Sequence, residues 1–107
     1  ALTVTDVDDD GAVHWAVTAI PPTAVGAPRG SAPDDAIVHT NADGDPAYLP
    51  VCPPEGEAHT YELSLYALTE PLALDNTATG DDVVAALGAR SAAGTASRTL
   101  LVGTYER

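Results

Sequence analysis

The chain has no lysine, no phenylalanine and no methionine among its 107 residues, and only one tryptophan and one cysteine. Each absence excludes something. Without lysine, and with only four arginines against sixteen acids, the net charge is −12. A nucleic-acid or anionic-membrane binder needs a basic patch, so neither partner is expected. One cysteine cannot close an internal disulfide and fits a reducing compartment, so a cytoplasmic location is expected. No run of 18 apolar residues exists, which excludes a spanning helix and integral membrane contact. The opening "ALTVTDVDDD" has no basic n-region and turns acidic at once, unlike a signal peptide. It also begins without Met and in mid-strand, so upstream residues are expected to be missing.

What remains is 45% apolar, mostly Ala, Val and Leu, enough for one core in one domain over residues 1–107. The acids are scattered rather than massed in a tail. That pattern suits a solvated acidic surface adapted to high salt, as in a halophilic protein. The competing reading is an acidic face that recruits a cationic partner or a metal.

Alternation of apolar and polar residues marks strands at 2–7, 13–20 and 60–68, with another over 98–106 and a short one within 36–40. Asp8-Asp9-Asp10-Gly11 is a turn signal, and Pro21-Pro22 stops the second strand. Residues 23–47 form a long Gly/Pro/Asp-rich connection of the kind that is often functional. Asp81 and Asp82 precede "VVAALGAR", with Arg90 near its end, the charge order of a short helix within about 80–90. The total is a mainly β, sandwich-like domain with one helix.

Candidate chemistry rests on three histidines. His14 lies in a strand beside Trp15, His59 follows Cys52-Pro53-Pro54 at the mouth of another strand, and His39 reads as a solvated loop residue. A hairpin about residues 8–11 would bring Asp6 and His14 to one rim, where the carboxylate could orient the ring. For His14 the plainer reading is a core histidine satisfied by a neighbour; for His59 it is a loop residue. The spacings contain no zinc pattern, no GxSxG, no phosphate-cradling loop and no GxGxxG. No metal or cofactor is expected.

The segments "TDVDDDGAVHWAVTAIPP", "NADGDPAYLPVCPPEGEAHTYELSLYAL" and "LLVGTYER", in that order, resemble the phosphatidylethanolamine-binding protein family, which includes the Raf kinase inhibitor proteins and their bacterial and archaeal relatives. The resemblance implies a Greek-key β-sandwich with an anion pocket at one end. Carried onto this sequence, the pocket residues are Asp6, His14, His59 and Tyr61, walled by Cys52, Pro53 and Pro54. Val7 and Asp10 stand where the family has prolines, Thr60 where it has arginine, and Asp8, Asp9 and Asp10 would oppose an anion. The family begins with further strands before the Asp motif. Their absence predicts an uncovered sheet edge or face, covered by a bound upstream segment or by a second chain in a homodimer.

The expected function is non-enzymatic binding of a small anion or phosphoryl head group, as in a regulatory, kinase-inhibitor-like protein. The alternative is a small hydrolase using Asp6, His14 and His59 as acid, base and orienter. From the charge alone, thermal stability is expected to rise between low and molar salt as screening relieves self-repulsion. Melting curves over that range check this, and a melting temperature that stays flat or falls contradicts the salt-adapted reading.

Overall fold

The computed structural model describes residues 1–107. Its elements are β1 (Leu2–Asp6), β2 (Ala12–Thr18), β3 (Ile37–Val38), β4 (Ala58–Leu68), α1 (Gly80–Ala92) and β5 (Ala96–Glu106). The mainly β class with a single helix is as expected. All five strands belong to one sheet ordered β3-β2-β1-β4-β5, and every pairing in it is antiparallel. Helix α1 packs on this sheet against β2 and β5. No helix is long and apolar enough to cross a membrane.

β1 and β2 form a hairpin about the acidic turn. Asp10 and Gly11 both take positive φ there, which aspartate tolerates and glycine adopts freely. β2 ends at Thr18, before the two prolines, because Ala19 turns to φ 53° and leaves the ladder. Within the hairpin the register slips: Val4 opposes Trp15, but Thr5 opposes Val13. His14 is therefore the extra residue of a β-bulge, which bends the strand and re-aims a side chain. The slip also brings Val13 and Ala16 onto the helix, where they pack with Val83 and Leu87.

The helix forms for local reasons. Thr79 caps it: its hydroxyl accepts from the Asp82 N–H at 3.2 Å, and the Asp82 carboxylate accepts from the Thr79 N–H at 2.9 Å. Asp81 and Asp82 in the first turn and Arg90 in the last complement the dipole. Val83 and Leu87, one turn apart, face the sheet and are fully buried.

His39 corrects the sequence reading. It is not a solvated loop residue but has no exposed surface at all. Its Nδ1 donates to the Ala78 carbonyl at 2.8 Å and its Nε2 accepts from the Thr18 hydroxyl at 2.6 Å. The imidazole thus ties β2 to the cap of α1. Adjacent to it, Thr40 bridges Thr79, and the Gly80 N–H donates to the Thr40 carbonyl at 2.8 Å. These ties add to the packing of Val13 and Ala16 on Val83 and Leu87 that joins helix and sheet.

β5 is one of the two edge strands, opposite β3. It pairs with β4 along its whole length, yet Leu100, Leu101, Val102 and Tyr105 stay between 45% and 66% exposed.

Two helical glycines should respond oppositely to alanine. A Cβ on Gly80 would lie 2.7 Å from both the Thr40 carbonyl oxygen and Val13 Cγ1, so Gly80→Ala is expected to destabilise by about 1–3 kcal/mol through overpacking. A Cβ on Gly88 meets nothing within 4 Å, so Gly88→Ala should stabilise by about 0.5–1 kcal/mol through helix propensity. Urea denaturation of both variants checks the signs; the same sign for both would mean that the helix does not dock this closely.

Candidate functional site

A cavity of about 460 Å³ opens at one end of the sheet. Three elements meet there: the end of β1, the bulge of β2 and the start of β4, closed by the Pro-rich segment before β4. Asp6, His14, Cys52, Pro53, Pro54, His59 and Tyr61 all line it, together with Asp8, Asp9, Asp43 and Glu57. A larger apolar cavity of about 590 Å³ lies against Trp15 and Tyr48. It contains no carboxylate, imidazole or guanidinium, so the chemistry resides in the first.

Strand register explains the convergence. Asp6 and Tyr61 are direct cross-strand partners between β1 and β4. His59 precedes Tyr61 by two residues and so shares its face. The Asp6 side chain is 4% exposed, and that of His59 is 12% exposed. The His59 Nδ1 donates to Asp6 Oδ2 at 2.7 Å. The other Asp6 oxygen accepts from the Asp8 N–H at 3.0 Å, so both carboxylate oxygens are satisfied, as a buried acid requires. Here too the sequence reading needs correcting. Asp6 and His14 do share the rim, but the ring that Asp6 orients is that of His59. The His14 Nδ1 instead donates to the Leu49 carbonyl at 2.9 Å, and its Nε2 has no protein partner. His14 also meets the Tyr61 ring edge-on, with centroids 5.4 Å apart.

The outer nitrogen of His59, Nε2, lies 3.2 Å from Glu57 Oε2. The hydrogen bond to Asp6, then that to Glu57, holds the His59 pKa above its ordinary 6.5, against a smaller opposing effect of desolvation. Burial, reinforced by the negative charge of Asp6, pushes the Tyr61 phenol up from its ordinary 10.0. Tyr61 therefore stays protonated. Its hydroxyl is buried and makes no hydrogen bond of ordinary geometry, although the Asp6 carboxylate lies close enough to act on it as an acceptor.

The proline wall is rigid and anchored. Pro53 is fully buried, Pro54 exposed and Cys52 a free, exposed thiol. Arg107 Nη1 donates to the Pro53 carbonyl at 3.4 Å, and the Glu57 N–H to the Pro54 carbonyl at 3.0 Å. Asp8 is less of an obstacle to an anion than its charge suggests, because its Oδ2 already accepts from the Thr60 N–H at 2.6 Å. No three metal-capable side chains converge as an ion would require. Sequence reasoning missed Glu57 and Leu49. Glu57 had a signal, lying two residues before His59 in an extended stretch. Leu49 contributes only a backbone carbonyl, for which the sequence offers none.

Comparison with known proteins agrees with this fold. A family model described as phosphatidylethanolamine-binding protein matches residues 1–106. A UPF0098 protein of Mycobacterium tuberculosis is 37% identical over 112 residues, covering 99% of this chain and 52% of its own length. A UPF0098 protein of Methanothermobacter thermautotrophicus is 34% identical over 99 residues, covering 88% and 62%. The crystal structure of Escherichia coli YbcL, described as a new member of the mammalian PEBP family, superposes with a TM-score of 0.80 at 29% identity. That match covers 99% of this chain and 70% of YbcL. The chain spans about half the length of the mycobacterial relative.

His59 gains its partners on folding, so its raised pKa is a stability statement. The contribution is fully present below the ordinary value of 6.5 and is lost as pH rises through the raised value. Melting temperature is therefore expected to decline over that window, and less so in His59→Gln. Parallel pH profiles for the two proteins would show that the Asp6–His59 bond does not stabilise the fold.

Proposed function

The chain belongs to the phosphatidylethanolamine-binding protein family, and from that premise we propose that it is a non-enzymatic binding module whose cavity receives a small anion or a phosphoryl head group. The observation that carries this reading is the Tyr61 hydroxyl, a protonated donor buried at the cavity wall without a protein hydrogen bond of ordinary geometry. Leaving such a group unmet costs about 1–3 kcal/mol. A ligand oxygen would remove that cost, which makes the cavity better matched to an acceptor-bearing ligand than to none.

The histidines complete the donor set. His14 lines the cavity, its Nε2 has no protein partner, and an imidazolium there would donate to an anion. His59 is fixed by Asp6, and its charged form is favoured by its carboxylate neighbours. Charge-assisted bonds from imidazolium to a phosphoryl oxygen are among the stronger ones available. The cost is the acidic lining, which lowers affinity for a multiply charged anion unless the histidines are protonated. Binding should therefore strengthen toward mildly acidic pH.

The hydrolase alternative has one point in its favour, the Asp6–His59 pair, which is the arrangement of an oriented base. The outer nitrogen of His59 meets a carboxylate, so no protein hydroxyl or thiol stands where the base could activate it.

Tyr61→Phe separates these readings from a structural role. It is expected to weaken phosphate binding by about ten-fold, the value of one strong hydrogen bond, while thermal stability holds or rises because no protein bond is lost. NMR titration with inorganic phosphate near pH 6 and a melting curve supply both readouts, with Tyr48→Phe, outside the cavity, as control. Unchanged phosphate affinity in Tyr61→Phe would sink the proposal. Turnover of a phosphate ester by the wild-type chain would favour the hydrolase.

A further inference from the structure

The larger cavity, of about 590 Å³, takes no part in the site described above. Trp15 and Tyr48 wall it, with Pro28, Val38, Pro46 and Ala47 around them. Such a volume with an apolar, aromatic lining is what small-molecule sites present. The two rings meet edge to face, with centroids 5.9 Å apart and planes at 87°. Two faces at a right angle make a corner. A cation in it lies within about 6 Å of both rings, where their quadrupoles attract it. The corner is fixed before any ligand arrives, because both neighbours of Tyr48 are anchored. The Leu49 N–H donates to the His14 carbonyl at 2.8 Å, and the Asn41 side-chain amide donates to the Ala47 carbonyl at 2.8 Å. Another wall, Pro28 to Ser31, is a tight turn, with Gly30 at φ 77° and the Ser31 N–H donating to the Pro28 carbonyl at 3.1 Å. Preorganisation of this kind lowers the cost of binding.

Charge decides which ligands suit the corner. Apart from Trp15, the whole lining comes from residues 27–48. No charged side chain lines the cavity itself, but that segment carries Asp34, Asp35, Asp43 and Asp45 against a single arginine, Arg29. An anion would meet aromatic faces inside and carboxylates outside, and neither favours it. Both favour a cation. Tyr48 is 48% exposed, so a cationic group beside it keeps part of its hydration while the rest of the ligand is buried. We propose that this cavity is a second binding site, for a small organic cation: the Trp15–Tyr48 corner holds an ammonium group, and Pro28, Val38 and Ala47 cover the apolar body attached to it. The aspartates between residues 34 and 45 set the sign of the charge that enters.

Trp15 is the only tryptophan, so its fluorescence reports the cavity directly. The test titrates the chain at neutral pH and low salt with three probes of closely similar shape: phenethylamine, phenethyl alcohol and phenylacetate. Phenethylamine is expected to bind about three- to ten-fold more tightly than the alcohol, the value of a partly desolvated cation–π contact. Phenylacetate should bind more weakly than either. Tyr48→Leu keeps an apolar side chain but removes one ring face, so it should bring amine and alcohol within about two-fold of each other. Asp34→Asn combined with Asp35→Asn should weaken the amine alone; Asp35 sits at φ 64°, which asparagine tolerates. Glu55→Gln combined with Glu106→Gln removes as much charge elsewhere on the chain and should change nothing. No saturable change in Trp15 fluorescence with any probe overturns the site. Alcohol bound as tightly as the amine overturns the cation. An amine preference that survives Tyr48→Leu, or that falls equally in the Glu55 and Glu106 variant, traces to net charge alone and overturns the aromatic corner.

Discussion

A buried carboxylate must be given partners, and the Asp6 carboxylate is the constraint around which this end of the molecule is arranged. It sits on the central strand of the sheet, between β2 and β4. One oxygen closes the hairpin turn through Asp8, and the other fixes the ring of His59 on β4. The Asp6 backbone carbonyl also accepts from the Gly11 N–H at 2.9 Å. One residue thereby joins the turn, the strand pairing and the cavity wall. Replacing it with an apolar residue would leave the His59 Nδ1 and the Asp8 N–H without their acceptors, so loss of the site and loss of the hairpin geometry would come together.

Much of this was legible in the sequence because it depends on local signals. The strand periodicity, the acid-to-arginine order of the helix and the proline turn each act over a few residues, and the structure has them within a residue or two. The seven residues placed in the pocket by family resemblance do line one cavity. Three things were not legible. The bulge at His14 depends on a slip against β1 that no pattern within β2 specifies. The burial of His39 depends on Thr18 and Ala78, far from it in sequence; a histidine in a Gly- and Asp-rich stretch looks solvated until its partners are known. The pairing of Asp6 with His59 rather than His14 follows from β1 lying between β2 and β4, a topological fact. Adjacency along the hairpin favoured the wrong histidine.

The acidity of the chain and the chemistry of the cavity pull in different directions. Five carboxylates line the cavity with two histidines, so its field is not that of a generic anion trap. Three of the five are neutralised in part by what they hold: Asp6 and Glu57 by the His59 ring, and Asp8 by the Thr60 N–H. On the proposed reading, attraction for oxygen acceptors would rest on imidazole protonation and on the Tyr61 phenol rather than on permanent positive charge. Such a site is tuned by pH and salt more than one built from arginine, whose charge is fixed.

The long pairing of β4 with β5 has a kinetic side. The two strands are joined through the segment that contains α1, so Leu68 and Ala96 at the inner end are separated by the shortest loop, and Ala58 and Glu106 at the outer end by the longest. Loop-closure entropy favours zipping from the inner pair outward, and fraying in the reverse order. His59 and Tyr61 lie on the outer half, opposite Tyr105 and Gly103, and the proline wall is held there by Arg107. The pairing of β5 with the cavity end of β4 is thus formed last and loosened first, while β1 still holds that end of β4. Loosening of β5 and loosening of the proline wall that Arg107 holds would then be one motion.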